Sequence, residues 1–158
     1  TLANFLPNQL TERAEELDFV LRLARLRHRA ENYLLRGTFL RPPRLQAPTA
    51  TLDMSRLSIY AGREGGLTAF QKTSPLALAA AWRAPDGKVG IALVSIADEP
   101  TRVTLHFPAD RYGLPRRARV HLLDETGRRQ LGTLRQLGSE MEMELPPRAA
   151  RILELAVP

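Results

Sequence analysis

LALAAAWRAPDGKVGIALVSI, Leu76 to Ile96, reads as two β-strands joined by a tight turn, and it decides the fold. In Ala84-Pro85-Asp86-Gly87-Lys88, proline presets φ at the first corner of a type I turn, aspartate tolerates the second, and glycine takes the left-handed bulge position. Along the first strand Leu76, Leu78, Ala80 and Trp82 alternate with Ala77, Ala79, Ala81 and Arg83; along the second, Val89, Ile91 and Leu93 alternate with Gly90, Ala92 and Val94. Both faces are apolar, which suits a central hairpin covered on both sides rather than an edge. The expectation is one bulky face and one mostly small face, with another element approaching closely over the small one.

Downstream, Ala97-Asp98-Glu99-Pro100 turns the chain. Arg102 to Phe107 then alternates Val103, Leu105 and Phe107 inward with Arg102, Thr104 and His106 outward. A loop over Pro108 to Arg117 follows, then a strand over Ala118 to Leu123, a polar turn at Asp124-Glu125-Thr126-Gly127 and a weaker, glycine-broken segment over Gln130 to Leu137. Glu140 to Leu145 has the cleanest two-residue period, with Met141, Met143 and Leu145 against Glu140, Glu142 and Glu144, and Ala149 to Val157 closes the chain as a strand. Upstream, Leu57 to Tyr60 and Leu67 to Thr73 are strand candidates around a turn at residues 62 to 66. That turn lacks the spacing of a phosphate loop. Short antiparallel strands with no helix between them indicate a Greek-key β-sandwich.

Ahead of the strands, Thr38 to Pro48 holds three prolines in TFLRPPRLQAP and reads as a stiff, extended connector. Before it, Thr11 to Arg36 has helical spacing, with Thr11 as N-cap, Glu12, Glu15 and Glu16 in the opening turn and Gly37 at the C-terminal end. Asp18, Arg22, Arg25, Arg29, Asn32 and Arg36 form a narrow polar stripe, with Asp18 and Arg22 as an i,i+4 pair. The arc containing Leu17, Phe19, Val20, Leu21, Leu23, Ala24 and Leu26 is wider than the stripe of about 100° that a surface helix needs. The helix therefore calls for burial on two sides: by the β domain, and by either another domain or a second copy of the chain. His28 aligns with Leu17, Leu21 and Ala24 and reads as a hydrogen-bonder at that interface. The fold expected is mainly β: an antiparallel Greek-key β-sandwich preceded by one long N-terminal α-helix.

The chain has 158 residues, 44% of them hydrophobic, enough for a packed core. No cysteine is present, so disulfides and thiolate metal sites are excluded. It opens at Thr1 without an initiator methionine, signal peptide or apolar span, the pattern of an excerpt or a processed product rather than a membrane protein. Net charge is +6, carried by arginine apart from Lys72 and Lys88. The arginines are interleaved with acids along every element, which argues for a salt-bridged surface and against a nucleic-acid or polyanion patch.

Constellations with chemistry are absent from the pattern. The acid pairs Asp98/Glu99 and Asp124/Glu125 occupy turns, and Glu140, Glu142 and Glu144 line the solvent face of an amphipathic strand, so none reads as a hydrolase acid–base pair. His28, His106 and His121 lack metal-ligand spacing. Ser55, Ser58, Ser74, Ser95 and Ser139 lack a nucleophile setting. No cofactor is implied. Trp82 reads as core, whereas Tyr112 is the aromatic expected to reach the surface, in a loop that also carries Arg111, Arg116 and Arg117; those four are the candidate ligand-binding residues.

The run Arg29-Ala30-Glu31-Asn32-Tyr33-Leu34-Leu35-Arg36-Gly37-Thr38-Phe39-Leu40-Arg41-Pro42-Pro43, Pro75-Leu76 through Trp82, the PDGK hairpin with Val89 to Val94, and Ala150 to Leu155 together resemble the tail of a clan of glycoside hydrolases. The clan includes α-galactosidase-like enzymes and the barrel hydrolases of the DUF6259 type. There the last helix of a (β/α)8 barrel leaves through a Gly-x-x-Leu-x-Pro-Pro-like exit into a C-terminal β-sandwich. The resemblance implies that residues 1–37 are a terminal barrel helix, 38–48 a proline-rich connector and 49–158 the sandwich. It implies catalytic carboxylates upstream of Thr1, none within this chain, and an accessory role: covering barrel surface, stabilising the enzyme or building an oligomer interface. The alternatives are an independent carbohydrate-binding module and, third, an arginine-rich polyanion binder.

Overall fold

A computed structural model describes residues 14–57, 67–106, 109–137 and 140–156. Helix α1 spans Ala14–Arg29 and a short α2 spans Glu31–Leu34. The strands follow as β1 (Thr38–Leu40), β2 (Arg44–Gln46), β3 (Thr49–Leu57), β4 (Leu67–Pro75), β5 (Ala77–Arg83), β6 (Val89–Ser95), β7 (Thr101–His106), β8 (Arg119–Leu123), β9 (Arg128–Thr133), β10 (Glu140–Leu145) and β11 (Ala150–Ala156). A 3₁₀ turn at Ala109–Tyr112 precedes β8, and a one-turn helix α3 (Leu134–Leu137) precedes β10.

The strands form a six-stranded sheet in the order β1-β5-β6-β11-β8-β9, a three-stranded sheet β10-β7-β2, and a separate two-stranded ribbon β3-β4, all antiparallel. The chain leaves the large sheet after β6 to make β7, returns for β8 and β9, crosses again for β10, and inserts β11 between β6 and β8. These are the expected Greek-key crossings, and the architecture is mainly β with an N-terminal helix. The core lies between the sheets: Val89, Ile91 and Leu93 of β6 with Leu153 and Leu155 of β11 face Val103, Leu105 and Leu145 of the small sheet.

The central turn forms as its residues dictate. The Gly87 amide donates to the Ala84 carbonyl at 2.9 Å, the Ala84 amide to the Lys88 carbonyl at 2.8 Å, and Gly87 has φ +83°. This is a type I turn followed by a left-handed bulge residue. The Asp86 carboxylate accepts from the Lys88 amide at 3.1 Å and from Lys88 Nζ at 2.7 Å.

Two expectations about the hairpin and its lead-in are corrected. Register pairs Ala81 with Ile91, Ala79 with Leu93, Trp82 with Gly90 and Leu78 with Val94. Ile91 and Leu93 therefore share one face with Ala81 and Ala79, and Trp82 shares the other with Gly90, so neither face is uniformly bulky. The face carrying Trp82 and Leu78 points away from the sandwich core, and Trp82 packs half-buried against a second core under the helices instead. Residues 38–48 are extended as expected but hydrogen-bonded: β1 pairs with β5 and β2 with β7, lacing the proline-rich stretch into both sheets. Pro42 and Pro43 fall between β1 and β2, where no ladder amide is needed.

The helix also departs from expectation. It bends at Ala30, which is fully buried with φ −99° and ψ 15°, and the Gly37 amide closes the last turn on the Tyr33 carbonyl at 3.1 Å. The Asp18–Arg22 pair forms at 2.9 Å, whereas the Thr11 cap, the turn at 62–66 and the end of the Leu57–Tyr60 candidate lie outside the described residues. Long β3 supplies a strand ahead of Leu57 that alternation alone did not mark.

Candidate functional site

The two sheets present opposite chemistries outward. On the three-stranded sheet the outer side chains are Glu140, Glu142, Glu144, Arg102, Thr104, His106, Arg44 and Gln46, with the His106 Nδ1 3.1 Å from Glu140 Oε1. That face is polar and charged. On the six-stranded sheet, direct cross-strand neighbours form three outward rows. Phe39, Trp82, Gly90, Glu154, His121 and Gln130 make the first; Ala80, Ala92, Ile152, Leu123 and Arg128 the second; and Leu78, Val94 and Ala150 the third. Apolar residues dominate the β1–β5–β6–β11 side.

The N-terminal helices cover this face only in part. Leu26, Ala30 and Tyr33 pack with Ala84, Leu123 and Ile152 into a second, smaller core. Beside it lies a groove of about 530 Å³ with Leu23, Leu26 and Arg27 on the helical wall, Ala80, Ala92, Val94, Ala150 and Ile152 on the floor, and Leu34, Leu78 and Trp82 along the margin. Leu78 is 54% and Phe39 61% exposed, and the Phe39 ring meets Trp82 edge to face at 5.4 Å. Full burial of a large apolar side chain is worth about 1.5–3 kcal/mol, so a surface covering this margin would gain several kcal/mol.

Among the residues expected to form an interdomain interface, only Leu26 is buried within the chain. Leu17, Phe19, Val20 and Leu23 are half-buried, while Leu21, Ala24 and His28 are exposed. His28 stands 4.0 Å from Glu31 and projects into solvent on the Leu21–Ala24 side. The helix is thus buried on one side by this chain and open on the other.

A polar cluster fixes the helix to the sheet. Tyr33 lies over Gly90, and its hydroxyl donates to Glu154 Oε2 at 2.6 Å. The other carboxylate oxygen, Oε1, accepts from Arg128 through Nε at 2.9 Å and through Nη2. The same Nη2 lies 3.1 Å from His121 Nδ1. Burial, then the hydrogen bond to Glu154 and its charge, raise the Tyr33 hydroxyl well above the usual phenol range. Burial first, then Arg128, hold His121 below the usual imidazole range. A buried carboxylate with two donors and a neutral imidazole is a structural anchor: each Glu154 oxygen has its partner, and none of Tyr33, His121, Arg128 and Glu154 lines the groove.

The loop expected to bind a ligand is instead structural at its centre. Tyr112 is 2% exposed, its hydroxyl donates to the Arg41 carbonyl at 2.7 Å, and its own carbonyl accepts from Arg83 at 2.7 Å. The expectation of an exposed Tyr112 is therefore wrong: the ring plugs the sandwich end beside Leu114 and Ala118. Arg111, Arg116 and Arg117 remain exposed around it. The exposed aromatics with described side chains are Phe39 and Phe70 instead. Nothing local in the sequence joins Tyr33, Arg128 and Glu154 into a set, because 121 residues separate the first from the last. The one signal was a glutamate interrupting the apolar run Ile152-Leu153-Glu154-Leu155-Ala156.

Among the described residues no group of three His, Asp or Glu side chains converges as a metal site, and no helix is long and apolar enough to cross a membrane. The chain matches no protein-family model and no curated protein. Among solved structures it is similar to a chain from Bacillus halodurans C-125 described as a candidate α-N-acetylgalactosaminidase, with a TM-score of 0.40 and 21% identity. The similarity is distant and covers 68% of this chain but 21% of that one.

Proposed function

We propose that the chain is a non-catalytic, C-terminal accessory region of a carbohydrate-active glycoside hydrolase, docking on a catalytic (β/α)8 barrel through the outer face of the six-stranded sheet and the open side of α1. The observation that carries this reading is the asymmetry of the two sheets. One outer face is charged, whereas the other offers Leu78, Trp82, Val94 and a floor of alanines around a groove. Small floor residues permit close approach of a packed helix or loop, and exposed Leu78 and Phe39 beside them add apolar surface for a partner to cover. The sequence resemblance to the helix–Pro-Pro–sandwich exit of α-galactosidase-like enzymes supports the choice of partner.

A carbohydrate-binding module is the rival that one observation favours, because the exposed Phe39 ring stands edge to face on half-buried Trp82. Sugar recognition needs polar groups beside the ring to take the hydroxyls, and this pair is bordered by Leu34 and Leu78. The polyanion reading fares worse, since Arg22, Arg36, Arg128 and Arg148 are each held by a carboxylate.

The test is made on the native gene product, with Leu78→Glu as the variant. An α-glycosidase activity is expected, nearly unchanged by the variant at low temperature but lost several-fold faster on heating. A native product without glycosidase activity, or one whose heat inactivation ignores the charge at position 78, contradicts the reading.

A further inference from the structure

His121 and Glu154 sit side by side on adjacent central strands, both nearly buried, with His121 Nδ1 3.8 Å from Glu154 Oε1. Between them reaches Arg128, whose side chain is 48% exposed. A guanidinium has only donors, so its 3.1 Å contact to His121 Nδ1 requires that nitrogen to be the acceptor. The imidazole in this arrangement is therefore neutral, with its proton on Nε2.

We propose that the cluster is an acid-operated partner exchange: protonation of His121 transfers Glu154 Oε1 from Arg128 to His121 and expels the Arg128 side chain into solvent. A proton on Nδ1 would set two donors and two like charges against each other at 3.1 Å. One of the two cations has to leave. His121 is locked inside the sheet, whereas Arg128 is half in water already and regains hydration by swinging out. The imidazolium then closes on Oε1, a movement of about 1 Å to reach an ordinary hydrogen bond.

The charged groups facing His121 from the packed elements set how readily it takes the proton. Arg128 on β9, Arg119 on β8 and Lys88 in the β5–β6 turn all oppose its protonation, and Glu154 on β11 promotes it. Tyr33 of α2 occupies the other carboxylate oxygen and needs no change, so the helix stays fastened. What acid releases is the side-chain tie from β9 to β11, while β9 stays paired to β8 through its backbone. The folded chain binds this proton less readily than the unfolded chain. Its stability from the neutral histidine is thus full above about pH 6.5 and declines as pH falls.

Nuclear magnetic resonance of the whole chain tests the exchange between about pH 8 and about pH 4.5. The expected result is an Arg128 Nε–H signal that is protected at the upper end and lost with the same midpoint as the His121 ring titration. In His121→Gln, whose amide oxygen can accept from Arg128 but takes no proton, that signal should persist across the range; His106→Gln should behave as wild type. Protection of Arg128 throughout the His121 titration overturns the proposal, as does a His121 that stays neutral to the lower limit or an equal loss in His121→Gln. Should His121→Gln fail to fold, coincidence or separation of the two wild-type midpoints decides alone.

Discussion

The ring of Tyr33 rests directly on the backbone of Gly90: a Cβ at that glycine would stand 2.5 Å from Tyr33 Cγ and 2.6 Å from Cδ1. The ring cannot slide aside, because its hydroxyl is tied to Glu154. Gly90→Ala is therefore expected to cost about 1–3 kcal/mol, as overpacking does. In a Tyr33→Ala background the same change should cost little, and urea unfolding of the four chains measures the coupling. Equal costs in both backgrounds would contradict the contact.

Removing the hydroxyl tests the anchor in another way. Tyr33→Phe leaves Glu154 Oε2 without its donor and is expected to destabilise by about 1–3 kcal/mol near neutral pH. Folding raises the ionisation range of this phenol, so the stability it contributes is full below about pH 10 and is lost as pH rises further. The gap between wild type and Tyr33→Phe should narrow above that point. A gap independent of alkaline pH would show that the hydroxyl is not what titrates.

Gly87 is a case of backbone alone. It holds φ +83° with nothing within 4 Å of where a Cβ would stand. Gly87→Ala should cost about 1 kcal/mol through the left-handed conformation, and Gly87→Asn less, since asparagine tolerates that region. Thermal unfolding of the two variants checks the order.

The sequence reveals local structure here more readily than orientation. Pro85-Asp86-Gly87 and the Met141, Met143, Leu145 alternation are written in short-range patterns, and both form as read. Which face of β5 points inward is not so written. Its residues are apolar on both sides, so the period of two is silent, and only the packing that buries Ala77 and Ala81 between the sheets settles it. Residues 38–48 misled in a similar way, because proline density hides that Thr38–Leu40 and Arg44–Gln46 are free to pair. The anchor of Tyr33, Arg128 and Glu154 depends on contacts between the two ends of the chain. Tyr112 read as an exposed loop residue because nothing local marks Arg41 as its partner.

The outer face of the six-stranded sheet is most directly probed by the solution mass of the chain alone, by light scattering over a range of concentrations. With Leu78, Phe39 and the groove uncovered, the mass is expected to rise with concentration in wild type and to stay at the monomer value in Leu78→Glu, whose change falls on a 54% exposed residue. A wild-type chain that remains monomeric throughout, and is indistinguishable from Leu78→Glu, would contradict an apolar docking face there.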